Sequence, residues 1–449
     1  MPDASPSSDP DNAAVLVLVV VLALAVLLAG LLAVGLWLPT WRVCRYRRLG
    51  GGDGSPSSRQ TVVYADNNAS TRMFPEALTA QVRAMRELYS NPSSIHAGGL
   101  RCRDVLEDVR ERVSRLLGVP RSGHLVFTGG ATESNNIAIR GVVRHRLARK
   151  KQPVRVVLTP VEHASVMQTV EAVAEHHGGR GVEFRTVDVD ATGRIDMAHF
   201  TELVQSRDVA LACVIMGNNE IGTLQDVRGL AEVCRANGTH LHCDMTQVVG
   251  KYRVDMRDLG VHTATFSAHK FHGPKGVGGL YVAGKGVRLA YDATATGGHQ
   301  EGGKRGGTEN LPGICGLAAA LEKCHVLLAL QEDRRVRAMR DSVKTELRAR
   351  LPRGTLFNGH SDGMYNTVSL CVPVNSRDLV RLLNPLGIYI NVGCACSNGD
   401  GSKTLRAIGR TDAQINGSVR ISLSFMNTEA QCRRLCDALV QAVHQLTRE

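Results

Sequence analysis

Aromatic side chains are scarce in this chain: Phe, Tyr and Trp make up 4% of its 449 residues. Acidic residues are also short, 42 against 54 lysines and arginines, for a formal net charge of +12. That surplus is spread along the chain and no nucleic-acid motif accompanies it, so nucleic-acid binding is not expected. The one dense basic cluster, Arg42, Arg45, Arg47 and Arg48, abuts an apolar run and reads as a membrane flank. No Cys/His spacing suits zinc, and no metal centre is expected. The twelve cysteines lie scattered from Cys44 to Cys436 and do not form the framework of a small secreted domain. A reducing compartment fits them. No internal repeat is present. What remains is an ordinary globular balance, 43% apolar and 21% charged, with 46 glycines. Many glycines and few aromatics suit an α/β protein with many strand–helix turns. The length allows a membrane segment and two domains.

Residues 1–12 are polar and acidic and are expected to be disordered. Ala13 to Leu38 carries no charged residue. At about 1.5 Å per helical residue it spans the ~30 Å hydrocarbon core as a transmembrane helix. The basic flank follows it, so the positive-inside rule keeps everything beyond in the cytoplasm, with Trp37 and Trp41 bracketing the exit. A cleaved or re-entrant targeting segment is the other reading. Residues 39–60 are the basic flank and a Gly/Ser/Pro linker.

From residue 61 to 311 short apolar runs alternate with helical segments. The strand-like runs are Leu125–Thr128, Val154–Leu158, Val182–Val187, Val209–Met216, Leu241–Cys243, Thr263–Phe266 and Gly279–Val282. This predicts a large domain on a mainly parallel seven-stranded sheet covered on both faces. Residues 61–74 are expected to pack with the second domain. Residues 312–449 read as that smaller α+β domain, beginning with one long helix to about Leu351.

The polar motifs fall at the ends of the strand-like runs, where ligands bind in such sheets. Ser267-Ala268-His269-Lys270 ends one run and precedes a Gly-rich turn. A lysine delivered there suits a Schiff base with pyridoxal phosphate (PLP). Asp244-Met245-Thr246-Gln247 ends another run. Its carboxylate suits a protonated pyridine nitrogen, and its amide suits the ring's phenolate oxygen. Thr128-Gly129-Gly130-Ala131-Thr132 opens a helix whose free N–H groups, with the Thr132 hydroxyl, suit a phosphate. His163 can stack on the ring, and Asn218-Asn219 can bond the cofactor's oxygen or a substrate carboxylate. Arg420, alternating with apolar neighbours, suits a bidentate clamp on an α-carboxylate. Arg305-Gly306-Gly307-Thr308 is an anion-binding candidate. Cys394-Ala395-Cys396 sits in a small-residue loop suited to a nucleophile that swings. Taken singly, each also reads as ordinary: a solvated lysine, a structural histidine, a plain Asn-Asn turn, an outward arginine, a bare linker, a labile disulfide.

Taken together the motifs resemble the cysteine desulfurases, fold-type I PLP enzymes of the class V aminotransferase superfamily, over about residues 61 to 445. Further marks are Asp66-Asn67-Asn68-Ala69, Asn91-Pro92-Ser93-Ser94-Ile95-His96 and Glu162-His163. The resemblance implies conversion of L-cysteine to L-alanine, with the sulfur passing to Cys396 as a persulfide. From there it would go to an acceptor protein, for iron–sulfur cluster or thio-cofactor supply. Lys270 would carry the cofactor and move the Cα proton, and His163 would stack on the ring. Asp244 would hold the pyridine nitrogen and Gln247 the phenolate oxygen. Ala131, Thr132, Ser267 and His269 would hold the phosphate. Asn218 and Arg420 would bind the cofactor edge and the substrate carboxylate. In a homodimer Thr308 would complete the partner's phosphate site. The chain departs from the family at Cys394, usually Ser or Ala, and at Ser424-Phe425, usually Gly-Arg. The apolar anchor is also outside the family pattern. It implies a single-pass membrane protein with a cytoplasmic catalytic part. Rival readings are a selenocysteine lyase, an idle membrane-bound PLP-fold scaffold in sulfur transfer, and a class V aminotransferase.

Overall fold

Alternating runs of β-branched residues and amphipathic helices build a three-layer arrangement around one large sheet. The computed structural model describes residues 62–149, 153–176, 181–206, 209–284, 296–393 and 401–448. The apolar run 13–38 and both cysteines of the 394–396 loop lie outside the described residues.

After a two-residue strand, β1 (Val63–Tyr64), seven strands form the large sheet. They are β2 (His124–Thr128), β3 (Val154–Leu158), β4 (Val182–Thr186), β5 (Val209–Ile215), β6 (His240–Asp244), β7 (Thr263–Ser267) and β8 (Gly278–Val282). Their order across the sheet is β2-β8-β7-β6-β5-β3-β4. Pairings among β3 to β7 are parallel, and only β8 runs against its neighbours, β2 and β7. The mainly parallel seven-stranded sheet read from the sequence is therefore present, each predicted run overlapping one strand. Burial explains the pattern. Central β5 is Val-Ala-Leu-Ala-Cys-Val-Ile and all seven residues are buried, as a strand covered on both faces requires. Edge strand β4 leaves Phe184, Arg185 and Thr186 exposed.

One face of the sheet packs Ile137, Val142, Val166 and Val170 from the helices Ala131–Leu147 and Ala164–His176. The other face packs against the helices Ala97–Leu116, Val227–Ala236 and Leu311–Ala329. A separate core lies under an antiparallel sheet of β9 (Leu356–Asn358), β10 (Thr367–Cys371), β12 (Asn391–Val392) and β13 (Ser418–Ser422). There β1 pairs in parallel with β11 (Ile388–Tyr389), and Asp66 bridges to Ser422. The first described residues are thus stitched to the last strands, against the helices Glu332–Arg350 and Glu429–Arg448.

The single long helix expected from residue 312 to 351 is instead two, Leu311–Ala329 and Glu332–Arg350. The break is Gln331, left-handed at φ 61°. Neither Gly nor Pro announces it. Glu332 and Asp333 open the second helix, where negative charge meets the positive end of the dipole. The first helix packs into the large-sheet core and the second into the smaller core.

Candidate active site

The strands of the large sheet deliver their polar followers to one edge. There a cavity of about 1080 Å³ is lined by Ala131, Thr132, His163, Asp244, Gln247, Ser267, His269, Lys270 and Arg420. Residues drawn from stretches nearly three hundred apart in sequence thus share one space.

Lys270 ends a single 3-10 turn, Ala268–Lys270, that follows β7 directly. Its Nζ donates to the carbonyl oxygens of Asn68 at 2.8 Å and Ala69 at 2.9 Å. Asp244 is the last residue of β6 and is buried. Its Oδ2 accepts from Asn135 Nδ2 at 3.1 Å and its Oδ1 from the Thr246 N–H at 2.9 Å. Asn135 also donates to Ser165 Oγ, and its Oδ1 lies 2.8 Å from His242 Nε2. The carboxylate is therefore aimed by a buried network reaching back into the sheet. The Ser165 N–H points at His163 Nδ1, 3.1 Å away, and Ser165 Oγ lies 2.8 Å from the same atom. Nδ1 is then the acceptor, and the neutral ring carries its proton on Nε2. Burial holds the His163 imidazole below its ordinary range; Asp244 opposes this and Lys270 adds to it. Burial and the neighbouring lysines Lys270, Lys275 and Lys251 bring His269 down to about 4.

The phosphate-type cradle is the start of the helix Ala131–Leu147, where no side chain caps the free N–H groups. Gly130 before it has φ 147°, a conformation that L side chains rarely adopt. A Cβ on Gly278 would lie 2.4 Å from the Phe266 carbonyl and 2.8 Å from Gly130 Cα. The absence of that atom lets the cradle sit against β8. Ser267 Oγ, at the end of β7, faces the same loop.

Arg420 on β13 is buried, and its partners were not legible beforehand. Its Nη2 donates to Asp66 Oδ1 at 2.6 Å and its Nη1 to the Asn219 carbonyl at 3.0 Å. Asn391 donates to the other oxygen of Asp66 at 2.7 Å. The expected free clamp is thus an arginine already oriented and neutralised. Among the described residues its Nε is buried without a partner, as is Thr246 Oγ1. A bare helix start and an aimed carboxylate on one cavity fit an anionic ligand carrying a phosphate and a ring nitrogen.

Two expected residues stand apart. Asn218 backs the site rather than lining it: its Nδ2 donates to the Val161 carbonyl and its Oδ1 accepts from the N–H groups of Glu220 and Ile221. Its neighbour Asn219 lines the cavity instead. Thr308 is outside this chain's cavity, where Asn91 Nδ2 lies 3.5 Å from its hydroxyl. Cys396 falls outside the described residues. Sequence reasoning gave no role to Asn135, Lys251 or Glu220. Only their spacing from named motif residues, such as Gln247 to Lys251 on one turn, carried any signal.

A lysine at the carboxyl edge of a mainly parallel sheet, an acid at the next strand end and a phosphate-type helix start define a pyridoxal phosphate-dependent enzyme. The aminotransferase class-V family model matches residues 63–435. A cysteine desulfurase of Cereibacter sphaeroides is 37% identical over 86% of this chain and 96% of its own length. The cysteine desulfurase NifS of Azotobacter vinelandii is 33% identical over 86% of this chain and 93% of its own length. A solved NifS-like protein superposes with a TM-score of 0.77 at 32% identity, over 86% of this chain and all of its own. A structure described as SspA in complex with cysteine gives 0.68 at 27% identity, over 81% of this chain and 99% of its own. The chain belongs to the cysteine desulfurases of the class-V aminotransferase family.

Proposed function

We propose that this enzyme removes the sulfur of L-cysteine and leaves L-alanine. The observation that carries the reading is the convergence of Lys270, Asp244, Gln247, His163 and Arg420 on one cavity beside a bare helix start. When bound, PLP supplies an electron sink for a carbanion at the substrate Cα. The N–H groups of Ala131 and Thr132, with Ser267 and His269, would hold its phosphate. Asp244 would pair with its ring nitrogen, Gln247 with its phenolate oxygen, and His163 would stack on the ring. Lys270 would hold its aldehyde carbon and carry the Cα proton. Arg420, turned by Asp66 and the Asn219 carbonyl, would take the substrate carboxylate on its remaining N–H groups.

Cys396 is the proposed sulfur acceptor within the chain. Its thiolate attacks the substrate sulfur, the Cβ–S bond breaks, and its electron pair takes a proton at Cβ. The products are alanine and an enzyme persulfide, and the atoms balance without an external oxidant. We further propose a homodimer in which Thr308 serves the partner's phosphate site, and delivery of sulfur to a carrier or scaffold protein for iron–sulfur cluster or thio-cofactor supply. A membrane tether through residues 13–38 belongs to the same proposal. It is supported by the uncharged run and the arginines after it.

The test is alanine release from L-cysteine, run beside L-selenocysteine. Cys396→Ser keeps the visible absorbance of the bound cofactor and loses persulfide, with alanine release falling at least about 100-fold. Undiminished release would remove Cys396 from that role. A preference for selenocysteine by several orders of magnitude would change the substrate.

A further inference from the structure

Lys251 lies outside every motif that the chemistry uses, yet it is buried beside the cofactor cavity, 6% exposed. Its Nζ donates to Gln247 Oε1 at 2.5 Å and to Asn68 Oδ1 at 3.2 Å. The charged or titratable groups felt there are Lys270, Arg420 and Cys324, none of them a carboxylate. Burial first, then the positive charges of Lys270 and Arg420, push the Lys251 amine well below its ordinary range, so no ion pair holds it and its hydrogen bonds to Gln247 and Asn68 set its place.

The turn provides the geometry. Lys251 follows Gln247 by four residues, in a tight turn held by the Val248 and Val249 N–H groups on the Met245 carbonyl and the Lys251 N–H on the Val248 carbonyl. Gly250 is left-handed at φ 76°, and a Cβ there would meet Phe271 Cβ at 2.4 Å. The side chains of residues 247 and 251 are thereby brought to the same place. The Asn68 carbonyl on one side of the Gln247 amide can only accept. The Gln247 atom facing it must be Nε2, which leaves the amide oxygen toward Lys251. One Nε2–H goes to the Asn68 carbonyl at 2.9 Å, and the other remains for the cavity that Gln247 lines.

We propose that Lys251 is a positioning residue that locks the Gln247 amide with its NH2 group toward the bound cofactor's phenolate oxygen. Without it the amide can turn over and offer that oxygen a repulsive carbonyl. Asn68 ties the arrangement to the catalytic lysine, because its carbonyl accepts from both Gln247 and Lys270. The inference rests on Gln247 meeting the phenolate oxygen, as proposed above.

The experiment compares full-length holoenzymes: wild type, Lys251→Met, Gln247→Met and the double variant. Two quantities are read, the pH midpoint of the cofactor's visible absorbance change and the affinity of each apoprotein for PLP. Losing a donor on the phenolate oxygen favours the protonated chromophore. Gln247→Met therefore raises the midpoint by about half a pH unit or more and weakens PLP binding roughly 3- to 10-fold. Lys251→Met is expected to do the same, and the double variant to match Gln247→Met alone. A Gln247→Met protein that titrates like wild type would sink the role of Gln247 itself. Lys251→Met titrating like wild type while Gln247→Met shifts would sink the positioning role alone. So would additive shifts in the double variant, which would mean that Lys251 acts on the cofactor by its charge. Lys251→Gln keeps an N–H donor and serves if Lys251→Met fails to fold. It should shift the midpoint less than Gln247→Met does, and not at all in the Gln247→Met background.

Discussion

At the scale of single residues, the site depends on polar groups that the sequence makes look ordinary. Asp66 and Arg420 are 354 positions apart, and no local pattern links them. Their pairing is a product of the fold, so only the arginine half was legible. Glu162 is a sharper case. It precedes His163, and its Oε1 accepts from Thr159 Oγ1 at 2.6 Å and from the Ile215 N–H at 2.7 Å. Its Oε2 is buried without a partner among the described residues. Burial raises its pKa to about 8; the two hydrogen bonds oppose this, and the negative charge of Asp244 adds to it. The carboxyl is therefore protonated in the folded protein at pH 7 and ionised in the unfolded chain. A raised folded pKa contributes stability that is whole below about 4.5 and lost as pH rises through about 8. Glu162→Gln removes that dependence. In urea unfolding of the apoprotein, wild type is expected to lose on the order of 2–4 kcal/mol between pH 5 and pH 8.5 through this group. The variant should lose that much less. Parallel curves for the two proteins would show that Glu162 is ionised when folded.

At the scale of elements, alternation was a reliable guide where burial is two-sided. The inner parallel strands, β5 above all, were legible because a strand between helix layers has no polar face to confuse the pattern. Helix junctions were less legible. The stop at Gln331 uses neither Gly nor Pro, and its only sequence mark is the acidic pair that opens the next helix. Contact between loop and strand was not legible at all. Gly278 reads as one more residue of a Gly-rich turn, but its missing Cβ is what admits the Gly130 backbone. Gly278→Ala should therefore act on the cradle more than on the sheet. The expected result is an apoprotein destabilised by about 1–3 kcal/mol and PLP affinity reduced at least about 10-fold. Lys270 is untouched, so the cofactor's absorbance should be normal at saturation. Titration of apoprotein with PLP, followed by absorbance, reads this directly. Unchanged affinity would mean that the cradle tolerates displacement.

At the scale of the whole molecule, the catalytic part and the apolar run 13–38 are legible by different physics. Family resemblance ends near residue 61, whereas the run is identified only by length and lack of charge. Among the described residues one helix, Leu311–Ala329, is long and apolar enough to cross a membrane. It packs in the core against the helices Pro75–Glu87 and Ala97–Leu116, with Leu317, Ala320 and Leu321 fully buried. A helix spent on the core cannot also meet lipid, so the tether proposed above rests on residues 13–38 alone. The full-length chain should then sediment with membranes, resist carbonate and high salt, and come free only in detergent. Leu24→Lys with Leu28→Lys puts two charges near the middle of the run, each costing about 2.5–3.5 kcal/mol in a bilayer centre. That pair should move the protein to the soluble fraction without changing the cofactor's absorbance, because neither residue belongs to the catalytic fold. Release of the unmodified chain by salt, or a mature N-terminus beyond residue 38, would show that the run is an address removed in the cell and not an anchor.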